Sequence, residues 1–160
     1  MPLPPSDVVE ALDALAPGRV FRSAPAVPDD VHVLDDELGG NLPDDVVDLL
    51  SWSDGLGIAG LPVGFYLPNT VGLRGLNGDD LYRERLPGMV VVADDGGTGL
   101  FVADPDGRLP GGRGAVYLVD RGDLDLAEAH LAGGSVTDVV RSVLAGADLW
   151  QRPIARDLAD

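Results

Sequence analysis

The spacing of apolar residues changes at Gly55, and that change limits what the chain can build. Before it, Val8, Val9, Leu12 and Leu15 recur at helical spacing after Ser6, which reads as an N-cap, and Pro17-Gly18 ends the run. Val31, Leu34 and Leu38 repeat that spacing ahead of Gly39-Gly40, which predicts a second helix over 30–38, with a strand over 31–34 as the competing reading. The third start is the clearest. In Leu42-Pro43-Asp44-Asp45 a proline stands at the first helical turn, and two carboxylates sit by the positive end of the helix dipole. Its apolar stripe is Val46, Val47, Leu49 and Leu50, with Trp52 at the edge and Ser53-Asp54-Gly55 as the stop.

After Gly55 the apolar runs shorten to strand length, at 63–67, 70–73, 89–93, 100–103 and 115–119, separated by Gly, Pro and Asp. Residues 19–28 hold Val20-Phe21 between prolines and read as a connector with at most a short strand. Helical spacing returns over 123–131 and again after Ser135, where Val136, Val139, Val140, Val143 and Leu144 form one face that Gly146 closes. Residues 149–160 read as a tail docking through Leu149 and Trp150. Helices, then hairpin-spaced strands, then helices predict an α+β fold with a mainly antiparallel, hairpin-built sheet and helices packed against it. The 160 residues fit one domain: an N-terminal helix and connector to 28, a core over 29–146, and the tail.

Composition narrows the function. With no cysteine there is neither a disulfide framework nor a thiolate metal site. The formal net charge of −16 opposes nucleic acid and anionic lipid, whose binding needs clustered basic residues; here all 11 are arginine. The same field steers a basic protein partner inward, although acidity that only keeps a protein soluble is the plain alternative. The start of the chain lacks the basic and apolar regions of a signal peptide, and no stretch reaches the roughly 18 apolar residues of a membrane span. The expectation is a cytoplasmic protein that does not enter a membrane.

Patterns that suggest chemistry fail on context. Gly55-Leu56-Gly57-Ile58-Ala59-Gly60 has the letters of a dinucleotide fingerprint, but a helix precedes it and Leu61-Pro62 begins a strand, the reverse of what a pyrophosphate site needs. It reads as a helix-to-strand loop. Asp94-Asp95-Gly96-Gly97-Thr98-Gly99 looks like the phosphate-binding hairpin of sugar kinases and related ATPases, and the competing reading is a hairpin turn whose glycines supply positive φ. Asp104-Pro105-Asp106-Gly107 begins like a calcium loop without its later ligands and reads as a β-turn. His32 and His130 have no second ligand at helical spacing, no serine lies in a nucleophile elbow, and there is no lysine. No catalytic residue, metal ligand or cofactor is expected. The candidate partner-binding residues are Asp79, Asp80, Tyr82 and Arg83, in a polar stretch between strands with the residue types of interface anchors, together with Asp94 and Asp95.

In order and spacing, the acidic helix ending in Leu38-Gly39, the Leu42-Pro43-Asp44-Asp45 start, the Asp54-Gly55 stop and Val91-Val92-Ala93-Asp94-Asp95-Gly96-Gly97 resemble the SUKH superfamily. Leu100-Phe101-Val102, Gly114-Ala115-Val116-Tyr117 and an amphipathic terminal helix continue the likeness, which spans about 29–144. The glycine-rich run at 56–64 and the Ser51-Trp52-Ser53-Asp54 ending depart from it. The resemblance implies a SUKH-like binding module. Members include a fungal cell-wall-synthesis regulator and many bacterial immunity proteins that neutralise toxins, often nucleases. The functions it implies are neutralising a basic, nuclease-type toxin or, alternatively, serving as an intracellular regulatory or scaffolding domain. A nucleotide- or metal-dependent enzyme built on Asp94 to Gly99 is the reading from a different class.

Overall fold

The structure is a computed structural model that describes residues 3–60 and 62–159. Helix α1 spans Ser6–Asp13, strand β1 Val20–Arg22, α2 Pro28–Glu37 and α3 Asp44–Trp52. Strands β2 (Leu56–Ile58) and β3 (Phe65–Leu67) follow, then α4 (Thr70–Asn77), α5 (Asp80–Arg85), β4 (Val90–Asp94), β5 (Gly99–Ala103), β6 (Val116–Asp120) and β7 (His130–Gly133). The chain ends with α6 (Val136–Leu144) and α7 (Ala155–Leu158). Among the described residues the seven strands form one antiparallel sheet in chain order, β1 to β7. This is the α+β architecture expected from the sequence.

Alternation along the strands gives the sheet two apolar faces. Phe101, Ala103, Val116 and Leu118 point to the first face, where they meet Val8 and Leu12 of α1, Leu34 of α2, Val46 and Leu50 of α3, and Val139 and Val140 of α6. Leu100, Val102, Tyr117 and Val119 point to the second, where Leu86, Ala115, Leu124, Ala129 and Ala155 cover them. In β4 the register against β5 slips between Val91 and Ala93, so Val92 and Ala93 both join the first face while Val91 faces the second. The bulge keeps a run of four apolar residues fully buried despite the broken alternation.

Several elements differ from the sequence reading. Pro5 and Pro43, with their φ fixed at −54° and −56°, hold the N-cap positions of α1 and α3, so Ser6 lies inside the first turn and makes no capping hydrogen bond. Helix α2 begins earlier than expected, at Pro28, which follows the N-cap Val27 and stands at the first helical position, where a missing N–H costs nothing. Residues 56–58, expected as loop, form β2 between β1 and β3; the strand start expected at Leu61 lies outside the described residues. Residues 70–73 open α4 rather than a strand, because the Asn69 side chain accepts a hydrogen bond from Gly72 N and starts a helix that buries Leu73. Over 123–131 there is a single 3-10 turn at Leu126–Glu128 and then β7, not an amphipathic helix. Asp120, Asp123 and Asp125 each accept a hydrogen bond from the backbone N–H two residues on, and Leu124 takes a φ of 50°, so the backbone turns instead of coiling. The tail docks as expected, with Leu149 fully buried.

Candidate functional site

The layer covering the second face stops at β4. Phe21 of β1 stands opposite Gly57 of β2, Gly57 opposite Tyr66 of β3, and Tyr66 opposite Asp94 of β4. Asp94 in turn is opposite Leu100, so this row continues the second face beyond its covered part. Phe21 is 54% exposed, the second-highest exposure among the aromatic and leucine side chains that stand out from the surface. Gly57 lets the two rings lie down over the ladder: a Cβ there would stand 3.0 Å from Phe21 Cδ2 and 3.1 Å from Tyr66 Cδ1. The Tyr66 ring also lies against the backbone of Gly64 and of Gly96, which has a φ of +83°.

A concavity of about 510 Å³ opens around this row, bordered by Phe21, Tyr66, Asn69, Asp54 and Asp94. Two neighbouring turns position its carboxylates. Asp54, in the stop of α3, accepts a hydrogen bond from Thr70 N at 2.9 Å, which ties that stop to the start of α4. Asp94, at the end of β4, accepts one from Gly96 N at 2.8 Å. In each carboxylate only Oδ1 is used; Oδ2 makes no hydrogen bond or ion pair among the described residues. Arg22 borders the concavity but is engaged elsewhere, with its guanidinium 3.5 Å from the centre of the Trp52 ring and 3.8 Å from Asp13.

The residues singled out from the sequence are not brought to one place. Asp79 caps α5 by accepting hydrogen bonds from Leu81 N and Tyr82 N, and Asp80 is exposed in the first turn of that helix. The stretch expected as a polar loop is thus a short helix. Tyr82 turns inward against the second-face cluster, so it serves packing. Arg83 is exposed and borders a separate concavity of about 400 Å³ with Arg74, Glu37 and Asn41. There Arg74 already grips Glu37 through two hydrogen bonds of 2.7 and 2.8 Å. Asp95 is committed to the fold: Oδ1 accepts hydrogen bonds from Gly97 N and Gly99 N at 2.8 Å, and Oδ2 accepts one from Trp150 Nε1 at 3.2 Å. The Gly-rich hairpin therefore closes on its own carboxylates, as a turn does. In the calcium-like segment, Asp104 is fully buried and accepts hydrogen bonds from Arg108 N and Leu109 N.

Phe21, Tyr66 and Asp54 were not singled out from the sequence as site residues, and strands of three residues around Phe21 and Tyr66 carry too little pattern to mark them. The electrostatics around the fold stay acidic. Arg22, Arg74, Arg108, Arg141 and Arg156 form ion pairs with carboxylates, and all of these pairs are substantially exposed. Against a net charge of −16 this leaves many carboxylates facing solvent without a cation. Asp48 feels the crowding, because partial burial and then the charges of Asp45 and Asp44 push its carboxyl above the ordinary carboxylate range. No helix among the described residues is long and apolar enough to cross a membrane. No protein-family model matches this sequence, and no curated protein does.

Proposed function

We propose that this chain is a non-enzymatic protein-binding module for a basic partner, and that it acts in the cytoplasm as a SUKH-like immunity protein that neutralises a nuclease-type toxin. The observation that carries the reading is the open end of the second sheet face, where exposed aromatic surface and two half-used carboxylates meet on a strongly acidic protein. A nuclease presents a basic groove to its substrate phosphates. A domain of charge −16 competes for such a groove by offering carboxylates, and its field speeds encounter. The enzyme reading draws less support, since Asp95 has both oxygens occupied within the hairpin.

The test is to express the toxin candidate encoded beside this gene with and without the chain. The expected result is rescue of growth, a one-to-one complex, and an association rate that falls steeply with added salt. A neighbouring product that is harmless, or a toxin that kills equally in the presence of the chain, refutes the immunity reading. Calorimetric titration with ATP and magnesium tests the rival enzyme; a saturable signal abolished by Asp95→Asn would favour it.

A further inference from the structure

We infer that the open end of the second face is an arginine-binding cleft, in which Phe21 and Tyr66 stack against a guanidinium of the partner and the free oxygens of Asp54 and Asp94 receive its N–H groups. The inference rests on the basic-partner reading and names where and through which side chain that partner is held.

Three features of the cleft select its occupant. The aromatic surface is available: Phe21 is 54% exposed, and the Tyr66 ring lies flat over Gly57, Gly64 and Gly96 instead of entering the core. A ring face attracts a cation, and a guanidinium stacks on it better than an ammonium because it is planar and more weakly hydrated. The two carboxylates come next. Each has one oxygen fixed by a backbone N–H, which sets its orientation, and one oxygen without a partner among the described residues. Such pre-oriented acceptors suit the forked donors of arginine. Finally, the local charge favours a cation. Asp54 and Asp94 are the charged groups of the lining apart from Arg22, and Arg22 is held over Trp52 and toward Asp13. An anionic or purely apolar ligand would leave both carboxylate oxygens facing it without compensation.

The experiment is a titration of the full chain, labelled with nitrogen-15, with end-blocked tetra-arginine and, separately, tetra-lysine peptides, read by amide chemical shifts. The cleft predicts saturable shifts concentrated at Phe21, Gly57, Tyr66, Asp94 and Gly96, with tetra-arginine binding more tightly than tetra-lysine. The double variant Asp54→Asn, Asp94→Asn keeps the oxygens that hold Thr70 and Gly96, so the turns persist while both charges vanish. It should weaken tetra-arginine binding about threefold or more, and so should Phe21→Ser, which removes an exposed ring. Phe21→Ser carries the test if the double variant does not fold. Shifts centred on the carboxylates of α2, unchanged by these variants, would overturn the cleft and leave the basic-partner reading standing. Equal affinity for the two peptides would overturn the choice of arginine. No saturable binding of either peptide would overturn both the cleft and the reading on which it rests.

Discussion

Replacing Asp95 by alanine tests whether the Gly-rich hairpin is a structural joint or a ligand loop. Three N–H groups converge on this carboxylate, from Gly97, Gly99 and Trp150. Gly97 is exposed and can turn to water, so its loss costs little. Gly99 is buried, and the Trp150 ring packs so closely over it that a Cβ there would stand 2.7 Å from Cζ2. Gly99 N finds no replacement, and Trp150 Nε1, on a half-buried residue, loses its protein partner. A hydrogen bond to a charged acceptor contributes about 1.5–3 kcal/mol. Taking the low end for the two shielded donors gives a loss of about 3 kcal/mol, a large share of the roughly 5–15 kcal/mol that holds a domain folded. For a chain of this length that corresponds to a fall in Tm of about 6–12 °C. Urea unfolding followed by circular dichroism and tryptophan fluorescence measures it. The companion variant Trp150→Phe removes the indole donor together with the Cζ2 edge of the ring, and the double mutant should show a coupling of about 0.5–1.5 kcal/mol between the two sites. A loss below about 1 kcal/mol at unchanged slope would mean that the hairpin and the tail do not depend on Asp95, and would return its carboxylate to the candidates for ligand binding.

Asp45 Oδ2 accepts hydrogen bonds from Thr137 N at 2.7 Å and Thr137 Oγ1 at 3.1 Å, clamping α3 to the start of α6, so Asp45→Ala should cost about 1–3 kcal/mol in denaturant unfolding. Asp48 is raised by burial and by its acidic neighbours; its unfolded form ionises first, so stability is full below the ordinary value of 3.8 and is lost as pH rises through the raised one. Asp48→Asn should therefore raise the urea midpoint at pH 7 and leave it unchanged well below pH 3.8. Asp7 has the opposite sign: the hydrogen bond from Arg141 lowers its pKa, so its contribution is present above 3.8 and lost as pH falls through the lowered value, a loss that Asp7→Asn abolishes in the same titration. At Gly64 a Cβ would stand 2.9 Å from the carbonyl oxygen of Ile58 and 3.2 Å from that of Asp95, so Gly64→Ala should destabilise by about 1–3 kcal/mol on thermal melting.

How far the sequence could be read depended on whether the decisive contact was local. The start of α3 was legible because Pro43, Asp44 and Asp45 act within a single turn, and α6 because Ser135 accepts its capping hydrogen bond from Asp138 N three residues on. Helix α4 was not. Thr70-Val71 looks β-branched, and what secures the helix is distant: the Asn77 amide donates to Val91 O and accepts from Val91 N, both at 2.9 Å, fixing the helix end to β4. The 123–131 segment carried a helical apolar pattern that three aspartate turns overrode. Of the candidate site, Asp94 was legible as one of a doublet in a turn, whereas Phe21 and Tyr66 sit in strands of three residues, too short for alternation to declare a face. Even a correct assignment of their face would not have shown that it is uncovered, because that depends on where distant segments stop.

The reason the covering layer stops at β4 lies in the order of the connections. The chain passes from β1 to β2 through α2 and α3, both packed on the first face, and among the described residues nothing in this connection or in that from β2 to β3 joins the second-face cluster. Cover begins with Leu76 of α4, Tyr82 of α5 and Leu86, beside β4. The tail runs the other way: Pro153 O accepts from Leu131 N, Ile154 bridges to His130, and Ala155 N donates to Ala129 O, sealing the edge of β7. The far edge, at β1, has no such strap among the described residues, although an unpaired strand edge invites another chain. Uncovered face and uncovered edge thus coincide at one end of the sheet. Many of the aspartates that give the protein its charge are absorbed as caps and turn anchors, Asp79, Asp95, Asp104 and Asp120 among them. Asp54 and Asp94, like Asp79 and Asp120, perform this duty with one oxygen alone; what sets them apart is their place at this open end. Under the proposed reading, the general acidity attracts a basic protein from any direction, and these two carboxylates, beside Phe21 and Tyr66, are where it stops.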